Sequence, residues 1–205
     1  VITSADGTTI GCRSTGTGPG LLVVHGVLDT SHVYQDLADE LASDFTVHVV
    51  DRRGRGEHGL LAEVEDVWAV LEATGAGRVF GVGSGAVIAL EAALRLSGIT
   101  HVAAYEPPIS PERERRLRMM PRRPPTVRHD FRLAKEGSRY LERFRALRSR
   151  VLLLGGAKSA RHHRNALHAL GDLLPQAEKV LVEQAGHDSP AERPSLLVPA
   201  LKRFF

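Results

Sequence analysis

The chain is poor in several residue types, and each shortage excludes something. Cys12 is the only cysteine in 205 residues, so no intrachain disulfide can form and nothing points to an oxidising compartment. No apolar run approaches the roughly 18 residues of a membrane-spanning helix, and no basic-then-apolar leader stands within the chain. A cytoplasmic protein without a membrane partner is the expectation. Aromatic residues make up 5% of the chain, and net charge is only +3. That charge is uneven: residues 111–150 hold 14 of the 27 Lys and Arg against five acids. A nucleic-acid surface is one reading of such a block. Only Phe131, Tyr140 and Phe144 interleave it with aromatics, too few for a single-strand binder. A solvated, arginine-rich helical insertion is the favoured reading, and no nucleic-acid partner is expected.

What is present describes an ordinary globular chain. Hydrophobic residues are 42% and charged residues 25%, enough for one domain with a substantial core. Asp6-Gly7 marks a hairpin between short β-prone runs. Leu21-Leu22-Val23-Val24 is a continuous apolar run, as in a strand buried on both faces, and it ends at His25-Gly26. Val33, Leu37 and Leu41 mark one face of a helix. The run from Phe45 to Val50 ends at Asp51-Arg52-Arg53-Gly54-Arg55-Gly56. Val64, Val67, Trp68 and Leu71 mark a second helix, which stops near Gly75. Strands follow at 79–82, 102–105, 151–154 and 179–182, with helices over 84–97, around Leu167, Leu170 and Leu174, and at the C-terminus.

This alternation predicts an α/β fold, a mostly parallel sheet with helices on both faces. Only 109–148 breaks it. That stretch is read as a short helical cap inserted into a core formed by 1–108 and 149–205. In parallel sheets, ligands bind beyond the carboxyl ends of the strands. His25, Asp51, Gly83, Glu106 and His187 all fall at such ends. Asp51 and His25 read as structural strand-end residues.

The central stretch is Val79-Phe80-Gly81-Val82-Gly83-Ser84-Gly85-Ala86, a strand, a tight turn and the start of a helix. It fits two site types. As a dinucleotide fingerprint it offers Gly81, Gly83 and Ala86, with Glu106 20 residues beyond Ala86 as the ribose acid. As a nucleophile elbow G-x-S-x-G it offers Gly81 and Gly85, with Gly83 at the nucleophile position and Ser84 one place too late. The fingerprint normally opens its βαβ unit, whereas this turn follows two strand–helix units. It also leaves His25-Gly26 and Gly186-His187 unexplained.

Taken together, His25-Gly26, Asp51-Arg52-Arg53-Gly54-Arg55-Gly56, Gly81-Val82-Gly83-Ser84-Gly85 and Gly186-His187 resemble the marks of the α/β-hydrolases in order and spacing. Tyr105-Glu106-Pro107-Pro108 resembles a segment of small bacterial members. The resemblance implies an ancestral esterase-type hydrolase of a small apolar ester or related acyl substrate, needing no cofactor. It places Gly83 at the nucleophile position and His187 as general base. Backbone N–H groups of Val27 and Ser84 would form the oxyanion hole. The usual acid would follow the strand at 151–154, where Gly155-Gly156-Ala157-Lys158-Ser159 offers none. Some members, the haloalkane dehalogenases among them, carry it one strand earlier, which selects Glu106.

The departure is Gly83, which cannot form an acyl-enzyme. A replaced serine, a natural loss of hydrolysis and a cofactor-free chemistry using His187 as base all stay open, as does a binding protein with a small-molecule ligand. A homodimer is left open too. No metal is expected: His162, His163 and His168 lack convincing ligand spacing and read as solvated surface.

Overall fold

A computed structural model describes residues 1–26, 29–53, 58–109, 125–139 and 141–205. Its strands are β1 (Ile2–Thr3), β2 (Thr9–Thr15), β3 (Gly20–Val24), β4 (Thr46–Asp51), β5 (Arg78–Val82), β6 (His101–Tyr105), β7 (Arg150–Gly156) and β8 (Glu178–Val182). The helices are α1 (Gln35–Leu41), α2 (Leu60–Thr74), α3 (Ser84–Arg95), α4 (Pro125–Ser138), α5 (Arg161–Leu173), α6 (Ser189–Glu192) and α7 (Val198–Phe204).

The eight strands form one sheet in the order β1-β2-β4-β3-β5-β6-β7-β8. β1 pairs with β2, and β2 with β4, antiparallel. Every later pairing is parallel. The Asp6-Gly7 turn closes as expected, with Gly7 at φ 86° and the Thr8 N–H donating to Asp6 Oδ1.

The continuous apolar runs follow from burial on both faces. Along β3, Leu22 and Val24 join the core under α2, α3 and α5, while Leu21 and Val23 join the core under α1 and α7. β6 and β7 alternate likewise: Val102, Ala104, Val151 and Leu153 to the first layer, Ala103, Tyr105, Leu152 and Leu154 to the second. A period of two with both faces covered leaves no polar positions. β8 is the edge and is only half-buried along its length.

Two expected helix faces shift. Val33 is 42% exposed because a 3₁₀ turn over Ser31–Tyr34 precedes α1. Tyr34 is buried in its place, its hydroxyl donating to Asp29. Trp68 is 48% exposed. The buried stripe of α2 runs through Leu60, Glu63, Val64, Val67 and Val70, and Trp68 lies beside it.

Within the described part of 109–148, α4 packs on α3. A Cβ at Gly137 would stand 2.3 Å from Val87 Cγ1, so glycine permits this close helix contact. Leu133, Phe144 and Leu147 extend the same core. Several arginines of the basic block pair with acids of this chain: Arg143 with Glu91 at 2.7 Å and Arg145 with Glu142 at 2.5 Å.

Candidate functional site

β5 ends at Val82, Gly83 turns the chain, and α3 starts at Ser84. Gly83 has φ 55° and ψ −120°, a region that side-chain-bearing residues adopt only under strain. Its N–H donates to the Tyr105 carbonyl at 2.9 Å, tying the turn to β6. The three glycines of the turn differ in kind. A Cβ at Gly81 would stand 2.5 Å from Ala86 Cα, and one at Gly85 2.2 Å from the Val24 carbonyl oxygen. Both positions are closed to any side chain. At Gly83 a Cβ would meet only Gly26 Cα at 3.9 Å and His187 Cε1 at 4.0 Å, which is ordinary contact. Position 83 therefore has room for a side chain and faces the imidazole of His187.

His187 and Glu106 come together from positions 81 residues apart in the sequence. His187 Nδ1 lies 2.7 Å from Glu106 Oε2. Glu106 is almost fully buried, and its other oxygen accepts the Gly156 N–H at 2.8 Å. Its backbone is held at φ 46°, unusual for a residue with a Cβ. Tyr105 steadies the far side of the loop by donating its hydroxyl to the Gly186 carbonyl at 2.5 Å. Burial pushes the Glu106 carboxyl upward, but the His187 and Gly156 hydrogen bonds and the charge of His163 outweigh it. The carboxyl ends below its ordinary value. With Nδ1–H donating to that carboxylate, Nε2 of His187 keeps its lone pair, the state a general base needs. The His187 side chain is 39% exposed, so approach from solvent is open.

Ser84 is turned away from this space. Its hydroxyl is buried and accepts from Arg52 Nη1 at 3.1 Å. Its N–H is the first of α3 and has no intrahelical acceptor, which suits the oxyanion-hole role expected of it. Val27, the other expected donor, lies outside the described residues, as do Gly54, Arg55 and Gly56. Asp51 accepts the Ser31 N–H at 2.9 Å, and the His25 ring lies between the Gly26 carbonyl and the Arg52 N–H. Both make hydrogen bonds to neighbouring loop backbone at the strand ends. Glu106 is fully engaged by His187 and Gly156, which removes it as the ribose acid of a dinucleotide site.

Sequence reasoning missed several residues. His163, expected on the solvated surface, is buried. Its ring stacks on His187 with centroids 4.1 Å apart, and its Nδ1 lies 3.7 Å from Glu106 Oε2. The signal was present: His163 stands at i−4 and i−7 from Leu167 and Leu170, on the apolar face of α5. Arg52, Glu63 and Asp130 were missed as well. The buried Arg52 guanidinium lies 2.9 Å from Glu63 and 2.8 Å from Asp130. Burial raises the Glu63 carboxyl, yet His129, His58 and Arg52 overcome this and hold it far below the carboxylate range.

A family model for the alpha/beta hydrolase family matches residues 21–146. The chain belongs to that family. The mostly parallel eight-stranded sheet with its helices is that family's fold. An uncharacterized hydrolase of Bacillus subtilis (strain 168), YraK, is 32% identical over 105 residues, 46% of this chain and 39% of that protein. The chain thus spans about two fifths of the curated relative it matches. An alpha/beta hydrolase from Sphaerobacter thermophilus DSM 20745 superposes with a TM-score of 0.83 at 27% identity, covering 100% of this chain and 99% of that one. Rv0554 of Mycobacterium tuberculosis follows at 0.80 and 19%, covering 99% and 96%. No helix among the described residues is long and apolar enough to cross a membrane.

Proposed function

We propose that this chain derives from an esterase-type hydrolase of a small apolar ester, with position 83 as nucleophile, His187 as base and Glu106 as its acid. With glycine at 83 the acyl-enzyme route is closed, and the chemistry left to the site is general-base catalysis by His187. One observation carries this reading. His187 Nδ1 faces Glu106 at 2.7 Å while its Cε1 edge lies 4.0 Å from the Cβ position of residue 83. The base and its orienting acid are intact around a nucleophile position that has only lost its side chain.

In the remaining route, His187 Nε2 takes a proton from water as the water oxygen bonds to the ester carbonyl carbon. The oxyanion forms beside the Ser84 N–H. Collapse breaks the bond to the alkoxide, which takes the proton back from the imidazolium. Glu106 stays ionised and stabilises that imidazolium, as the acid of a Ser-His-Asp triad does. Specificity in this fold resides in the segments and loops outside the sheet, not in the fold itself.

The test is Gly83→Ser, assayed with p-nitrophenyl acetate. Serine should cost about 1–3 kcal/mol of stability for its backbone strain and raise hydrolysis by ~10³-fold or more, given what loss of a triad nucleophile costs. His187→Ala in that background should abolish the gain. A folded Gly83→Ser protein with no gain would overturn the acyl-transfer ancestry and leave a ligand-binding site.

A further inference from the structure

A second cluster of metal-binding residue types lies apart from the histidine loop, between α2 and α4. Glu63 belongs to the buried stripe of α2. His58 precedes that helix, and His129 is on α4. Nε2 of His58 and Nε2 of His129 each lie 3.3 Å from the same oxygen, Glu63 Oε1. His129 and Glu63 are almost wholly buried and His58 nearly so. The two rings sit with centroids 4.3 Å apart.

As hydrogen bonds these contacts are poor. Both exceed the usual N–H···O range of about 2.7–3.2 Å. They also share Oε1 with Arg52 Nη2 at 2.9 Å, three nitrogens around an oxygen with two lone pairs. As the edges of a coordination polyhedron they fit well. Zinc–nitrogen and zinc–oxygen bonds of about 2.0–2.2 Å give tetrahedral ligand–ligand edges of about 3.3–3.6 Å. Arg52 holds both Glu63 oxygens, Oε2 through Nε at 3.1 Å and Oε1 through Nη2 at 2.9 Å, and also bonds Asp130 through Nη2. It thus fixes the orientation of the carboxylate, as outer-shell partners do.

We propose that His58, Glu63 and His129 form a binding site for one divalent transition metal of the zinc class. Two imidazoles and one carboxylate leave a fourth position exchangeable. The ion bridges α2 to α4 and fastens the cap helix to the core. Through Arg52, whose Nη1 bonds Ser84 Oγ, it also steadies the first residue of α3 beside Gly83. The expectation of no metal rests on His162, His163 and His168, none of which belongs to this cluster.

The test uses the full chain, stripped with EDTA and titrated with Zn²⁺ by calorimetry and with Co²⁺ by visible absorption. One equivalent should bind, Co²⁺ should show the bands of a low-coordinate nitrogen–oxygen site, and Zn²⁺ should raise the melting temperature. His58→Ala and His129→Ala should each weaken binding by at least the ~10–100-fold that loss of even an outer-shell partner costs, and remove the thermal shift. His58→Ala, nearer the surface, keeps the test readable if His129→Ala folds poorly. His163→Ala, which breaks the histidine cluster at Glu106 instead, should bind Zn²⁺ as the parent does. The proposal is overturned if no stoichiometric binding appears, if binding survives both His58→Ala and His129→Ala, or if His163→Ala alone abolishes it.

Discussion

Glu106 and Glu63 have neighbours of the same type, each carboxylate lying between two imidazoles, yet their surroundings separate them. At Glu106 the two histidines are unequal: His187 is at 2.7 Å and His163 at 3.7 Å. The nearer ring is part-exposed and faces the turn after β5. At Glu63 the histidines are equal at 3.3 Å, both rings are shielded, and a guanidinium completes the shell. One short bond fixes a tautomer and leaves a lone pair directed outward, which is the arrangement for moving a proton. Two equal long contacts around a charged core hold geometry and are open to an ion. Residue type alone does not assign the chemistry; distance, symmetry and access to solvent do.

The comparison breaks or sharpens most strongly on stability. Glu63→Ala leaves Arg52 with one buried carboxylate in place of two and should cost about 3–5 kcal/mol, read by urea unfolding. Glu106→Gln keeps its shape beside a part-exposed histidine and should cost clearly less. Reversal of that order would mean that the histidine loop, and not the α2–α4 cluster, carries the structural load.

Next in size is a pH effect at Glu106. Its carboxyl is held below the ordinary value of 4.5 in the folded chain. Its contribution is therefore complete above that value and is lost as pH falls through the lower folded value. The stability gap between parent and Glu106→Gln should close toward acid pH. A gap that widens there would contradict the assignment.

Smaller effects probe the link between the clusters. Ser84→Ala removes a buried bond to a charged group and should cost roughly 1–2 kcal/mol, while leaving the activity of a Gly83→Ser protein in place. Loss of that activity would make Ser84 a reacting group after all. His163→Ala removes a stacked ring from His187, an interaction of about 0.5–1.5 kcal/mol. In the Gly83→Ser background it should lower kcat by roughly 2- to 10-fold with KM little changed. A pure KM effect would place His163 in substrate binding.

Much of the fold was readable along the chain because its signals are local. A strand buried on both faces is an unbroken apolar run, and each of Leu21-Leu22-Val23-Val24 and Val151-Leu152-Leu153-Leu154 lies inside the sheet. Gly75, in the left-handed conformation at φ 68°, ends α2 where the apolar pattern ends. Gly83, Glu106 and His187 were readable for a related reason, since strand ends in a parallel sheet converge on one edge. Val33 and Trp68 were misread because a 3₁₀ turn and a small offset in phase rotate a side chain off a stripe without changing its spacing in sequence. His163, Glu63 and His129 were passed over although each is in phase with an apolar stripe. A polar residue in that phase is a buried polar residue, and it needs a partner that local sequence does not name.

The sequence by itself determined the element order, the mostly parallel sheet and the glycine turn, because hydrophobic period and turn stereochemistry act over a few residues. It also determined that residue 83 has no nucleophilic atom, a matter of covalent identity. Only the tertiary structure decided that position 83 has room for a side chain while Gly81 and Gly85 do not, since those clashes are with Ala86 across the turn and with the Val24 carbonyl on β3. It alone decided that Ser84 faces Arg52, that His163 backs His187, and that His58 and His129 meet on Glu63. Those contacts join residues far apart in the chain, and their distances are set by how the helices pack on the sheet.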